Sequence, residues 1–272
     1  MKKNVLAIAG LMFATFAISG ELFTGWSSQP KEYQLADPLE VDSTMGGYPI
    51  WAGEGKWRVM ELKKFVGSGA TPDMGSLEVF QTESGKMVSF LAVRANVGSA
   101  NASDWTDEPC KRDDYLYKAS LGGTFRDVNC ISLNHIVGYP GNPGGKGAEL
   151  FALLKKEKIE TPPTVLRMIW TRYSSGGRRL QYSLTINPEL AGFARDAEPE
   201  WGRNSWHKSQ VANDPAKKKF VDDLSVWALA FAKQMDPAFK KQVDAFNVIP
   251  SWRSVYDTTA KAESVKAKAT LD

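Results

Sequence analysis

The 272-residue chain is 43% hydrophobic, contains nine tryptophans and carries a formal net charge of +3. Such a composition belongs to a folded globular protein, long enough for one large domain or two small ones, and excludes a disordered one. The charge is too weak for nucleic-acid binding, which needs a concentrated Lys/Arg face. Two cysteines without zinc-type spacing are too few for a disulfide scaffold.

Met1-Lys2-Lys3-Asn4 gives a positive start, and an apolar run follows from Val5 to Ser19. This is the shape of a signal peptide, residues 1–19, with Ala17-Ile18-Ser19 as a small-x-small site cleaved after Ser19. The alternative is an uncleaved N-terminal anchor formed by residues 5–19. At ~1.5 Å per residue that run reaches roughly 24 Å, short of a ~30 Å hydrocarbon core. No cysteine lies nearby to carry a lipid. On either reading the remaining chain lies outside the cytoplasm, periplasmic or secreted, and touches a membrane only through the N-terminal segment if it is retained.

Residues 20–50 carry Pro, Gly and Ser without a sustained period and read as an extended lead-in. A strand-like pattern over 52–65 puts Trp57, Val59 and Glu61 on one face. A hairpin follows, with strands over 77–82 and 87–97 and a turn at Glu83-Ser84-Gly85. Its second strand is apolar on both faces (Leu91 and Val93 against Val88 and Phe90), which places it inside a sheet covered on both sides. After a polar loop, a strand over 128–137 sets Ile131, Leu133, His135 and Val137 on one face and Cys130, Ser132 and Asn134 on the other. The cysteine side, being more polar, is expected nearer solvent, and the strand central.

A glycine- and proline-rich loop leads to a short helix over about 148–158, with Leu150, Leu153 and Leu154 inward. The clearest hairpin spans 164–187. Leu166, Met168 and Trp170 match Leu180, Tyr182, Leu184 and Ile186 across a turn at Ser174–Gly177, with Arg172, Arg178 and Arg179 solvated at its tip. Asp214-Pro215 is a helix start, Asp as N-cap and Pro at the first helical position. Phe220, Leu224, Trp227, Phe231 and Met235 form its buried stripe. Asp236-Pro237 predicts a second helix to about Phe246. Residues 258–272, rich in Lys and Ala, read as a disordered tail. No repeat or long linker divides residues 51–250, so these form one α+β domain, mainly an antiparallel sheet with C-terminal amphipathic helices packed on one face.

The two cysteines, Cys110 and Cys130, are expected to form a structural disulfide, worth roughly 3 kcal/mol for a loop of this length. A redox pair normally uses Cys-x-x-Cys beside a helix N-terminus, and neither is present. His135 is the candidate general base, but no serine sits in a nucleophile elbow beside it and a packed histidine bonded to backbone explains it as well. Trp201, Trp206 and His207 form a candidate glycan-binding patch, since indoles in a polar loop stack on sugar faces; alternatively both indoles cover the end of the core. Two histidines without clustered carboxylates predict no metal site, and no cofactor is indicated. GYPGNPGGKG departs from the phosphate-binding loop, with Pro140 where the first glycine belongs and Gly147 where Ser or Thr should follow the lysine. The adjacent pairs Asp113-Asp114 and Asp222-Asp223 diverge and make no acid/base dyad.

The element order resembles the PsbP/Mog1-type sandwich at the level of fold. The run PCKRDDYLYK…GTFRDVNCISLNH, then NPELAGF and SWHKSQV, resembles a group of exported proteobacterial proteins over roughly residues 50–250. That group has no assigned activity, so the resemblance implies a single exported domain and transfers no site residues. The resulting expectation is an exported cell-envelope protein, a non-catalytic binding or accessory module whose partner is an envelope protein or glycan. The alternatives are a hydrolase or transferase centred on His135, and glycan binding through Trp201 and Trp206.

Overall fold

The computed structural model describes residues 21–24, 29–40, 43–67, 72–98, 110–123, 126–138, 146–240 and 251–256. The predicted signal segment and the 258–272 tail lie outside these residues. Seven strands build one antiparallel sheet: β5 (Arg58–Phe65), β6 (Met74–Glu83), β7 (Lys86–Asn96), β8 (Tyr117–Ser120), β9 (Asn129–Val137), β10 (Thr164–Tyr173) and β11 (Arg179–Ile186). Their spatial order is β5-β6-β7-β11-β10-β9-β8. β9 is therefore next to an edge, which corrects the central place expected for it from its sequence; β11 holds the middle. Two short ribbons precede the sheet, β1 (Phe23–Thr24) with β2 (Gln29–Pro30) and β3 (Thr44–Met45) with β4 (Tyr48–Pro49).

Both hairpins form as their sequences require. Leu166 lies opposite Ile186, Met168 opposite Leu184 and Trp170 opposite Tyr182. β6 and β7 are joined by Ser84-Gly85, both at positive φ (48° and 75°), the backbone of a turn whose twist matches its strands. Along one face, Val59, Leu77, Leu91, Val93, Leu184, Tyr182, Trp170, Met168 and Leu133 form a continuous buried layer. Helix α3 (Pro215–Phe239) lies on that layer, its stripe Phe220, Leu224, Trp227, Phe231 and Met235 fully inside. Asp214 caps it, accepting from the backbone N–H groups of Ala216 and Lys217.

Three expectations about local structure change. Pro237 does not open a new helix but sits in the last turn of α3. A proline is least disruptive near a helix end, and Phe239 beyond it stacks on Tyr48 with ring centroids 6.0 Å apart. The lead-in is part of the domain, because Leu22, Phe23, Met45, Tyr48 and Ile50 join the main core. So do Trp252 and Val255, beyond the predicted boundary at 250. Finally, Arg172 is not solvated at a hairpin tip. Its side chain is 12% exposed, paired with Asp127 and Asp236 and lying over the Phe239 ring, which ties β10 to α3.

The Cys110–Cys130 disulfide is formed, with Cα atoms 5.9 Å apart. Cys130 packs with Val128, Tyr173 and Cys110 and is buried, so its face is not the solvent side that its polar neighbours suggest. A disulfide fits an oxidising, extracytoplasmic compartment. Among the described residues no helix is long and apolar enough to cross a membrane.

Candidate functional site

The predicted site residues divide sharply. His135 points with the apolar set as its alternation requires, but it is 2% exposed. Its ring stacks on Trp201 (4.8 Å, 17° between planes) and its Nε2 lies 3.1 Å from the Trp201 carbonyl oxygen. A carbonyl only accepts, so Nε2 carries the proton; Nδ1 is buried without a partner. Among the described residues no carboxylate or hydroxyl bonds the ring, and the general-base role fails on access as well as on orientation. His207 lies edge-on to both His135 and Trp201, but its Nδ1 faces the Ser209 hydroxyl at 2.8 Å and its side chain caps α2 (Lys208–Val211). Trp206 is 1% exposed, packed edge-on against Phe193 and Phe220. It is core and cannot stack on a sugar, so the predicted two-indole patch does not exist as a surface.

Burial holds the His135 imidazole below the usual histidine range, helped by the His207 ring and opposed by the Trp201 carbonyl. The unfolded chain takes up a proton near pH ~6.5, while the native ring still resists it. The native state then binds fewer protons, so stability falls as pH drops below ~6.5 and levels off once the lower native pKa is passed. Melting midpoints between about pH 7.5 and 5 should show this loss, by at most ~1.4 kcal/mol per pH unit. The component should disappear in His135→Gln, whose amide can still donate to Trp201; an unchanged profile refutes the assignment.

The opposite face of the sheet holds the site that alternation along single strands did not bring out. Side chains there fall into cross-strand rows: Phe80, Phe90, Thr185 and Arg167; Glu78, Ala92, Ser183 and Ile169; Ser76, Arg94, Gln181 and Thr171. Helix α1 (Lys146–Lys156) covers one end of this face, packing Leu150 and Leu154 on Phe80 and Met87. β7 is thus not covered along its whole length: Phe90 is only partly buried, Ala92 is partly open and Arg94 is exposed. The middle row carries small side chains at Ala92 and Ser183, and larger residues surround them. The result is a cavity of about 350 Å³ lined by Met60, Phe90, Leu150 and Ile169 on its apolar side and by Glu78, Arg94, Arg167, Gln181 and Ser183 on its polar side. A β-bulge between Val59 and Glu61 turns Glu61 away from the Trp57–Val59 face and sets it opposite Glu78.

The electrostatics of the cavity are unbalanced. Burial raises the Glu78 carboxyl above the usual range; Lys63 and Arg94 oppose this and Glu61 adds to it. Burial likewise lowers Arg167, with Arg112 and Arg94 adding like charge and Tyr115 opposing. Its Nε is buried with no hydrogen-bond partner, and no carboxylate pairs with this guanidinium among the described residues. Beside it, Gln181 is held by Arg179 at 3.1 Å and by the Thr171 hydroxyl at 3.0 Å, while Arg179 lies over the Tyr173 ring. The sequence signal for this site was the pair of arginines Arg94 and Arg167 inside otherwise apolar strands.

An unpaired, largely buried cation is costly to a protein that carries no ligand. Arg167→Met, which removes the orphaned donor and keeps the aliphatic volume, should therefore stabilise the ligand-free protein by about 1 kcal/mol, or about 3 °C in melting midpoint. A destabilised variant in differential scanning calorimetry refutes the claim that Arg167 lacks a partner.

Fold and site together define a disulfide-clasped α+β domain with its core under α3 and a cationic cleft on the opposite sheet face. No family model matches the chain, and no curated protein or solved structure is similar to it at a level that shows kinship. Among the described residues there is no cluster of His, Cys, Asp and Glu fit to hold a metal ion.

Proposed function

We propose that this protein is an exported, non-catalytic binding module of the cell envelope, and that the cleft between α1 and the β7–β11–β10 face is where it binds. The observation that carries the reading is the cleft: apolar walls with a few convergent polar groups, at the small end of the ~300–1,000 Å³ that ligand cavities span. Export rests on the predicted signal peptide, with the periplasm as the compartment, and the disulfide supports it. An envelope protein remains the proposed partner of the module as a whole, and a glycan partner now depends on Trp201 alone.

Two measurements test this. Expressed with its own N-terminus, the protein should appear in the periplasmic fraction with a mature mass that begins at Gly20. A fragment screen by NMR should then give shifts clustered on Ala92, Ile169 and Ser183, lost in Ser183→Trp, which fills the floor of the cleft. Fragments that bind elsewhere, or that ignore the Trp substitution, overturn the cleft as the binding site.

A further inference from the structure

We infer that the ligand of this cleft is a small amphipathic anion, a single acid group joined to an apolar body, with the acid held by Arg167 and Arg94 and the body lying against Phe90, Met60 and Leu150. The inference rests on the binding reading above and adds the chemistry of the ligand. Arg167 and Arg94 stand on strands separated by β11, ~10 Å apart across the sheet and ~14 Å apart along it. They occupy the outer two of the three cross-strand rows, with Ala92, Ser183 and Ile169 in the row between. Guanidinium side chains are long enough to converge over that middle row from both ends. A guanidinium presents a planar fork of N–H donors that matches carboxylate and phosphate oxygens in pairs. Ser183 adds a hydroxyl at the floor.

The number of charges also follows. Among the cavity-lining residues, two guanidiniums face one carboxylate, Glu78, which interacts with Arg94. The unmatched charge is the one on Arg167, so one negative charge completes the site and a second would meet Glu78. The apolar lining requires that the rest of the ligand be hydrocarbon or aromatic, because a polar body would lose its hydration against Met60, Phe90, Leu150 and Ile169 without recovering hydrogen bonds. A carboxylate head meets this count, whereas a phosphate monoester, at about −1.5 to −2 charge near pH 7, meets it only as its monoanion; the test below separates the two.

The mature protein is titrated calorimetrically with octanoate, octyl phosphate, 1-octanol, octylammonium and acetate. Octanoate or octyl phosphate should bind at least tenfold more tightly than 1-octanol, octylammonium and acetate, and the tighter of the two names the head group. Arg167→Gln should weaken that anion at least tenfold and leave 1-octanol unchanged, with Arg167→Lys in between. Ser183→Trp should abolish all binding. If 1-octanol or octylammonium equals the anions, or if Arg167→Gln has no effect, the anion inference is overturned. Where neutral or cationic fragments still bind and are blocked by Ser183→Trp, the binding module stands and only its ligand class is refuted. If nothing responds to Ser183→Trp, both readings fall.

Discussion

Truncating Phe231 to alanine should cost about 4 kcal/mol of folding stability, the range found for a fully enclosed aromatic that leaves a cavity. Phe231 is 0% exposed. It sits at the centre of an aromatic group drawn from four parts of the chain: Trp51 at 5.1 Å, Trp227 at 5.5 Å, Tyr182 at 5.6 Å and Trp170 at 6.3 Å between ring centroids. Edge-to-face and tilted pairs of this kind add to simple area burial, and the rigid indoles around the site limit how far it can collapse. Tyr182 is also fixed in place, its hydroxyl donating to the Pro49 carbonyl and accepting from the Trp51 N–H. Urea unfolding should show the loss as a lower midpoint at unchanged slope, and the melting midpoint should fall by roughly 8–16 °C. Phe231→Leu should lose far less. Because the cleft is on the other side of the sheet, the alanine variant should still bind the anion with native affinity wherever it remains folded. A loss under ~1.5 kcal/mol would contradict the packing of α3 on the sheet.

The stripe that seats Phe231 was readable from spacing, because a helix repeats its buried positions every three or four residues and nothing outside the segment is needed to see them. The same holds for the 164–187 hairpin, whose two faces match residue for residue. What could not be read this way was whatever depends on the order of strands. Arg94 and Arg167 share a cleft because β11 inserts between β7 and β10, and no local pattern specifies that insertion. Arg172 was misplaced for a related reason: its partners Asp127 and Asp236 belong to distant segments. His135 was assigned to the correct face, but its burial is completed by Trp201, 66 positions away in sequence. Of the two sequence readings of Trp206, the core one holds and the sugar platform falls; a polar sequence neighbourhood could not decide between them because it does not report the Phe193 and Phe220 rings that enclose the indole.

Removing the disulfide should destabilise the protein by ~3 kcal/mol in the chain-entropy account, a fall in melting midpoint of roughly 6–12 °C for a chain of this size. Cys110→Ala with Cys130→Ala is the cleaner test, since reduction alone leaves two thiols in the Val128–Tyr173 cluster. The bond has a second consequence. Cys130 lies opposite Thr171, in the row that continues through Gln181 to Arg94. Cys110 begins the segment that carries Arg112 and Tyr115, both close enough to act electrostatically on Arg167. Arg112 in turn pairs with Asp114 and lies over the Tyr115 ring, so the segment moves as a unit when its anchor is cut. The double variant should therefore lose affinity for octanoate several-fold even at temperatures where it is fully folded. Arg172→Met, which loosens the α3 side of the same hairpin, should lower stability without that loss. Equal anion affinity in the disulfide-free and native proteins would show that the clasp stabilises the fold and leaves the cleft to the sheet alone.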